Sequence, residues 1–147
     1  MVHLAIDAHS RGSFAQVLPD EKVVSCVQFL RQAVAYYAGV GVRIERVMTD
    51  NGKGFKNAFG AACDELGIRH LKRRPYTPKT NGKAERFVQT SLREWAYARP
   101  YVSSAQREAA LQSFLHHYNW HRPHSALNRQ PPMGRIPAVS NLMELDS

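Results

Sequence analysis

Val42-Arg43-Ile44-Glu45-Arg46-Val47-Met48-Thr49-Asp50-Asn51-Gly52-Lys53-Gly54 is the stretch on which the architecture turns. Val42, Ile44 and Val47 give it the apolar content of a strand. Asp50 closes that strand with an acid, and Asn51 to Gly54 is loop chemistry. Downstream, Phe55 to Leu66 reads as a short helix closed by Gly67, and Ile68 to Leu71 as a short strand. Toward the N-terminus, Val2, Leu4 and Ile6 alternate with His3, Ala5 and Asp7, the period of a half-buried strand. Ser10 to Ser13 supplies a turn and Phe14 to Leu18 a second strand, so the chain opens with a hairpin. Pro19-Asp20-Glu21 starts a helix, with acids in the first turn to suit its dipole. Val23, Val27, Leu30 and Val34 carry this helix to about Tyr37, and Gly39 stops it.

Toward the C-terminus, Lys72 to Thr80 holds Pro75 and Pro78 and reads as a loop. Thr80 or Asn81 caps a helix that runs to about Ala98, before Pro100. Ser103 or Ser104 starts a last long helix with the stripe Leu111, Phe114, Leu115 and Tyr118, which Pro123 ends. Residues 1–125 form the expected domain. Residues 126–147, with Pro131, Pro132 and Pro137, form an expected loosely packed tail. Strands alternating with helices argue an α/β domain.

With 147 residues, 44% of them apolar and 22% charged, the chain is long enough for one domain with its own core. No apolar run approaches a membrane span, and Asp7 interrupts any signal peptide. Cys26 and Cys63 lie 37 positions apart, which excludes a disulfide framework or a Cys-x-x-Cys knuckle and points to a reducing cytosol. Both fall on expected helices, as buried, inert thiols. Twenty Lys and Arg against twelve Asp and Glu give +8, and the pI near 9.9 favours a polyanionic partner. Eight bases fall between Arg69 and Arg93: Arg69, Lys72, Arg73, Arg74, Lys79, Lys83, Arg86 and Arg93. Glu85 is the one acid among them. Such a run is either a solvated face or a phosphate-binding surface.

Two acids stand out. Asp50, at a strand end, sits where open α/β sheets build sites; the same residue before Asn-Gly also serves simply to shape a turn. Glu85 shares a helix side with Val88 and Leu92 and lies among Lys79, Lys83 and Arg86. Acids are favoured in any first helical turn. An acid inside a basic stretch also suits a site that holds metal and phosphate together, and hard oxygen ligands select Mg²⁺ or Mn²⁺.

Thr49-Asp50-Asn51-Gly52, Pro75-Tyr76-Thr77-Pro78-Lys79-Thr80-Asn81-Gly82-Lys83-Ala84-Glu85-Arg86 and Tyr118-Asn119-Trp120-His121-Arg122-Pro123-His124-Ser125-Ala126-Leu127 together resemble the catalytic core of the DDE integrases and bacterial insertion-sequence transposases. The likeness runs from residue 1 to about 135. It implies a ribonuclease H-like mixed sheet flanked by helices, DNA as substrate, a divalent metal (Mg²⁺ or Mn²⁺) and assembly as a homo-oligomer. It also implies that Asp50 and Glu85 are the second and third acids of the catalytic triad. Lys79, Lys83 and Arg86 are the expected DNA contacts, acting on phosphates. By the same resemblance, the first acid belongs to a strand upstream of Leu4-Ala5-Ile6-Asp7, and this sequence starts at the later strand. The expectation is therefore a sheet missing its first, central strand, with unpaired backbone on both sides of the gap. Asp7 is the tempting substitute acid, although its place at a strand end suits a turn better. The resemblance implies a polynucleotidyl transferase if the domain is completed, or else a non-catalytic DNA-binding or assembly fragment. An RNA-cleaving nuclease of the same fold class is a third reading.

His116, His117, His121 and His124 cluster without a nearby Cys or a His-Glu-x-x-His pattern, and read as a polar helix end instead of a zinc site. Trp95, Tyr97 and Trp120 read as core or partner contacts, with a DNA contact open for Trp120.

Overall fold

The computed structural model describes residues 2–73, 104–120, 131–134 and 138–146. The opening alternation forms β1 (Val2–Asp7), which turns back into β2 (Ser13–Val17). The two are antiparallel, with Val2 opposite Val17 and Ile6 opposite Ser13. Helix α1 (Val23–Gly39) follows. Its start is organised by Asp20, whose Oδ1 accepts the Lys22 N–H at 2.9 Å and the Ser25 hydroxyl at 2.8 Å.

The single strand expected over Val42–Thr49 is two: β3 (Arg43–Ile44) and β4 (Arg46–Thr49). The break falls at Glu45, whose N–H donates to the Ser140 carbonyl while its own carbonyl accepts the Arg69 N–H. The chain changes partners there. The helix expected over Phe55–Leu66 is likewise divided. A 3-10 turn at Lys53–Phe55 is followed by Asn57 at φ 51, a left-handed conformation that an α-helix cannot continue through, and then by α2 (Ala58–Glu65). Gly67, at φ 70, closes α2 as expected and leads to β5 (Arg69–Lys72). Helix α3 (Ser104–Trp120) buries the expected stripe of Leu111, Phe114, Leu115 and Tyr118. Two short strands end the described chain, β6 (Val139–Ser140) and β7 (Met143–Asp146).

The main sheet has the order β2-β1-β7-β4-β5, and β3 and β6 form a separate parallel pair. β7 runs antiparallel to β1, with Leu4 opposite Asp146 and Asp7 opposite Met143. It runs parallel to β4, with Val47 opposite Met143 and Met48 opposite Glu144. The gap expected between the opening hairpin and the Asp50 strand is therefore filled, and by the segment expected to pack loosely. Met143 and Leu145 are fully buried. They alternate with Glu144 and Asp146 in the two-residue period of a strand.

Helices cover both faces. On one, Ala5, Phe14, Val47, Met143 and Leu145 pack with Phe29, Leu30, Ala33 and Tyr37 of α1 and Phe59 of α2. On the other, Leu4, Ile6 and Ala15 pack with the α3 stripe.

Helix α3 also closes a sheet edge. The Ser13 N–H donates to Asn119 Oδ1 at 2.8 Å, and Asn119 Nδ2 donates to the Ser13 carbonyl at 2.6 Å. Gln112 Nε2 donates to the Ala15 carbonyl at 3.1 Å, and Glu108 Oε2 accepts the Val17 N–H at 3.4 Å. Side chains thus take the outward-facing backbone groups of β2, which would otherwise invite another strand. Asn119→Ala is expected to cost about 3 kcal/mol, because it leaves a buried N–H and a buried C=O without partners. A urea titration of the two proteins measures this.

Candidate active site at the end of β4

Strand β4 delivers Asp50 as the first residue beyond its carboxyl end, exposed to solvent. The turn that follows is built around it. Asp50 Oδ1 accepts the Gly52 N–H at 2.7 Å, and a Cβ at position 52 would lie 2.9 Å from that oxygen. Gly54 packs closer still, since a Cβ there would meet the Glu21 carbonyl oxygen at 2.3 Å and Cys26 Sγ at 2.6 Å. Close approach to backbone therefore requires glycine at 54, whereas a side chain at 52 would displace the Asp50 carboxylate, and the loop is pressed onto the start of α1. A cavity of about 260 Å³ opens here, lined by Glu21, Asp50, Gly52, Lys53, Gly54 and Phe55.

A hydrogen-bond relay fixes the end of the strand. The Thr49 hydroxyl donates to the Asp50 carbonyl at 3.0 Å, so its oxygen is left to accept from His70 Nε2 at 2.8 Å. On the neighbouring strand, the Arg73 N–H donates to the Thr49 carbonyl at 2.8 Å, and Asn51 Nδ2 donates to the Arg73 carbonyl at 3.1 Å. Burial lowers the pKa of His70, and the Lys72 charge adds to the effect. Burial also lowers that of His3, against the opposing effect of its bond to the Asp20 carbonyl. Both rings hold a proton less readily in the folded protein than in the unfolded chain, so folding stability is full above an unfolded pKa of about 6.5 and declines as pH falls through it. The urea midpoint is expected to drop between pH 7.5 and 5.5, and to drop less in His70→Gln.

The acids are distributed unequally. Asp7, the tempting substitute, lies opposite Met143, which is level with Val47, three residues before Asp50. That separates Asp7 and Asp50 by about 10 Å along the strands and by two strand spacings across them. Asp7 is buried and committed to structure. Oδ2 accepts the Ser10 N–H and hydroxyl, both at 2.7 Å, and Oδ1 accepts the Ser140 hydroxyl at 2.5 Å. The β4–β7 register, continued past Met48 and Glu144, brings Asp146 level with Asp50 on the adjacent strand, where strands lie about 4.8 Å apart. Sequence reasoning misses Asp146. The alternation of Met143 and Leu145 with Glu144 and Asp146 is the signal that could have found it.

The basic run is split as well. Arg69 and Lys72 are exposed on the edge strand β5, and Lys53 and Lys56 are exposed in the loop after Asp50. Arg73 instead turns inward, 8% exposed, with Nη2 at 3.8 Å from Glu144 Oε1. It is not part of a surface for phosphates.

Comparison with known proteins places this arrangement. Residues 1–78, more than half of the chain, match the family described as Integrase core domain, and residues 66–132 match a second family of the same description. The chain belongs to the integrase core family. Putative integrase ORF3 of Spiroplasma virus SpV1-C74 is 24% identical over 149 residues, covering 92% of this chain and 41% of the relative. The transposase InsD for insertion element IS2D of Escherichia coli (strain K12) is 33% identical over 87 residues, covering 58% of this chain and 29% of the relative. This integrase core thus spans less than half the length of these curated relatives. Among solved structures, the catalytic core domain of BIV integrase superposes with a TM-score of 0.70 at 23% identity, over 90% of this chain and 82% of that one. The fold is accordingly ribonuclease H-like, a mixed sheet flanked by helices.

In this integrase core the remaining expected site residues, Glu85, Lys79, Lys83 and Arg86, lie outside the described residues, as do Trp95, Tyr97, His121 and His124. His116 and His117 are exposed on α3, and Trp120 is 38% exposed at its end. Cys26 and Cys63 are buried and neither is in a disulfide, and burial, reinforced by Asp64, pushes Cys63 up to about 11. No described helix is long and apolar enough to cross a membrane. A hard divalent cation fits the donor type at Asp50: one carboxylate oxygen anchors the turn, and Glu21 lines the same cavity. Among the described residues, however, no group of three or more His, Cys, Asp or Glu is arranged to hold a metal.

Proposed function

We propose that this integrase core handles DNA as a DDE-type polynucleotidyl transferase, cutting and joining phosphodiesters in DNA integration or transposition. The observation that carries the reading is the place of Asp50. It is an exposed carboxylate at the carboxyl end of a strand in a ribonuclease H-like sheet, beside a cavity that Lys53 also lines, with Lys72 at the matching end of the neighbouring strand. Asp50 and Glu85 are the residues that would hold Mg²⁺ or Mn²⁺. When bound, such an ion supplies charge to offset that developing on phosphorus during an in-line displacement. The chain's own part is positional. The Thr49–His70 relay holds the Asp50 backbone carbonyl, the Gly52 N–H holds its carboxylate, and the loop at Gly54 forms the cavity wall. Lys79, Lys83 and Arg86 would bind the sugar-phosphate backbone, positioning the duplex without reading its sequence.

The test offers the purified chain a labelled duplex in Mg²⁺ or Mn²⁺ and looks for nicked and joined products. Metal-dependent nicking supports the reading. DNA binding without any nicking favours the alternative, a non-catalytic DNA-binding or assembly fragment. Asp7 would take no part in either reading, because its carboxylate is spent on Ser10 and Ser140. Assembly as a homo-oligomer is part of the same proposal. Replacing Lys79, Lys83 or Arg86 by alanine is expected to weaken binding to all sequences alike. Each change should make the slope of log K against log salt shallower by about 0.9, the value for one fewer neutralised phosphate.

A further inference from the structure

Two buried charges beside the Asp50 strand lack the hydrogen bonds that burial calls for. Glu144 is 2% exposed, and neither of its carboxylate oxygens makes a hydrogen bond. Arg73 is buried too, and its Nε and Nη2 make none either. The two face each other at 3.8 Å, Nη2 to Oε1. A buried ion pair recovers its desolvation cost only with close geometry and further hydrogen bonds, and here both are missing. The strand register sets where they meet. Glu144 lies beside Met48 on β4. Thr49 lies beside Lys72 on β5, so Arg73 comes level with Asp50. A contact from β7 to the end of β5 therefore passes over β4, across the face that carries Met48 and Asp50. Asp146 shares that face, two residues beyond Glu144 and level with Asp50. A buried carboxylate with its bonding capacity unused thus reaches toward the carboxyl ends of two adjacent strands, each of which presents an acid.

We propose that Glu144 is a ligand for a divalent cation shared with Asp50 and Asp146, and that Arg73 is a built-in counter-ion which the cation displaces from it. The proposal rests on the reading of Asp50 as a cation ligand, and adds two acids of β7 and an internal competitor. Glu144 gives up little in the exchange, a single ionic contact without a hydrogen bond. It gains a hard cation, the partner that carboxylate oxygens suit best. With Glu144 turned to Arg73, the described residues bring no three acids together. Turned instead toward the end of its own strand, Glu144 adds a third carboxylate to Asp50 and Asp146. A guanidinium suits the part of stand-in because its charge is permanent. Glu144 is then never left as a lone buried charge, which would be costly; its partner is either Arg73 or the ion.

The experiment titrates Mn²⁺ into the full chain without DNA, at constant ionic strength, and reads binding by calorimetry. Arg73→Met removes the competitor and keeps an aliphatic side chain, so it should tighten Mn²⁺ binding about tenfold. Glu144→Gln should weaken it about tenfold or more. Combined, the two should bind no more tightly than Glu144→Gln alone, since Arg73 acts through Glu144. A purely structural ion pair gives a different pattern, because breaking it from either side would loosen the site or leave it unchanged. Unchanged or weaker binding by folded Arg73→Met therefore overturns the proposal. Each single change strands a buried charge, so a double variant, Arg73→Met with Glu144→Leu, removes both charges and keeps the fold. Mn²⁺ should raise the urea midpoint of the native chain, and the double variant should need about tenfold more Mn²⁺ for the same rise. An equal response to Mn²⁺ in the two proteins also overturns the proposal. A native chain that takes up no Mn²⁺ removes this proposal and the cation reading of Asp50 together. Mn²⁺ binding that none of these substitutions alters removes this proposal alone, and the expected shifts without any nicking of DNA remove the proposed function alone.

Discussion

Asp50→Asn and Glu85→Gln are each expected to lower metal-dependent nicking by about a hundredfold or more while leaving DNA affinity within about twofold. Both substitutions keep side-chain shape and remove a negative charge. If these acids hold a hard cation, losing one carboxylate weakens the ion's hold and its orientation, and the chemical step suffers. DNA affinity comes mainly from lysine and arginine contacts to phosphates, so neither change should reduce it. Asp50→Asn also retains an oxygen able to accept the Gly52 N–H, so the turn is preserved and the loss cannot be assigned to a collapsed loop. Labelled duplex cleavage in Mn²⁺, paired with an anisotropy titration, separates the two readouts. Nicking that survives both substitutions would remove these acids from the mechanism.

Asp7→Ala is expected to cost about 4 kcal/mol in folding stability, measured by urea unfolding, because three charge-assisted hydrogen bonds disappear from a buried place. Asp7 is 1% exposed, and its two oxygens hold the Ser10 N–H, the Ser10 hydroxyl and the Ser140 hydroxyl. The acid ties the first hairpin turn to the distant strand β6. Removing it leaves donors unpaired in two separate segments at once. Asp7 and Asp50 are thus expected to fail in opposite ways, the first by unfolding and the second by losing chemistry on an intact fold. If Asp7→Ala folds normally and loses nicking instead, its assignment to structure is wrong.

Local pattern makes much of this fold legible. The alternation through β1, the apolar spacing of α1 and the Leu111–Tyr118 stripe of α3 each express a period that burial on one side imposes. Asp50 is legible for the same reason, because an acid ending an apolar strand before Asn-Gly has few other positions in an α/β chain. Features that depend on pairing between distant segments are not. β7 is a four-residue alternation downstream of Pro131, Pro132 and Pro137, and the prolines dominate its reading. Its central place depends on hydrogen bonds to strands about 100 residues or more away in sequence. The break at Glu45 reflects a change of partner that no local pattern records. Arg73 looks like one more member of a surface strip because a run of bases says nothing about which one turns inward. The role of Asn119 in sealing the β2 edge is hidden in the same way, since it rests on a contact across 106 residues.

The central position of β7 bears on how the molecule is made. During synthesis the hairpin β1–β2 and the pair β4–β5 emerge from the ribosome long before Met143, yet among the described strands it is β7 that joins them. The nascent chain therefore exists as two half-sheets, each with an unsatisfied edge, until Met143–Asp146 has been made. Pairings this remote in sequence also close slowly, so the interval in which the open halves invite aggregation extends past the emergence of that strand.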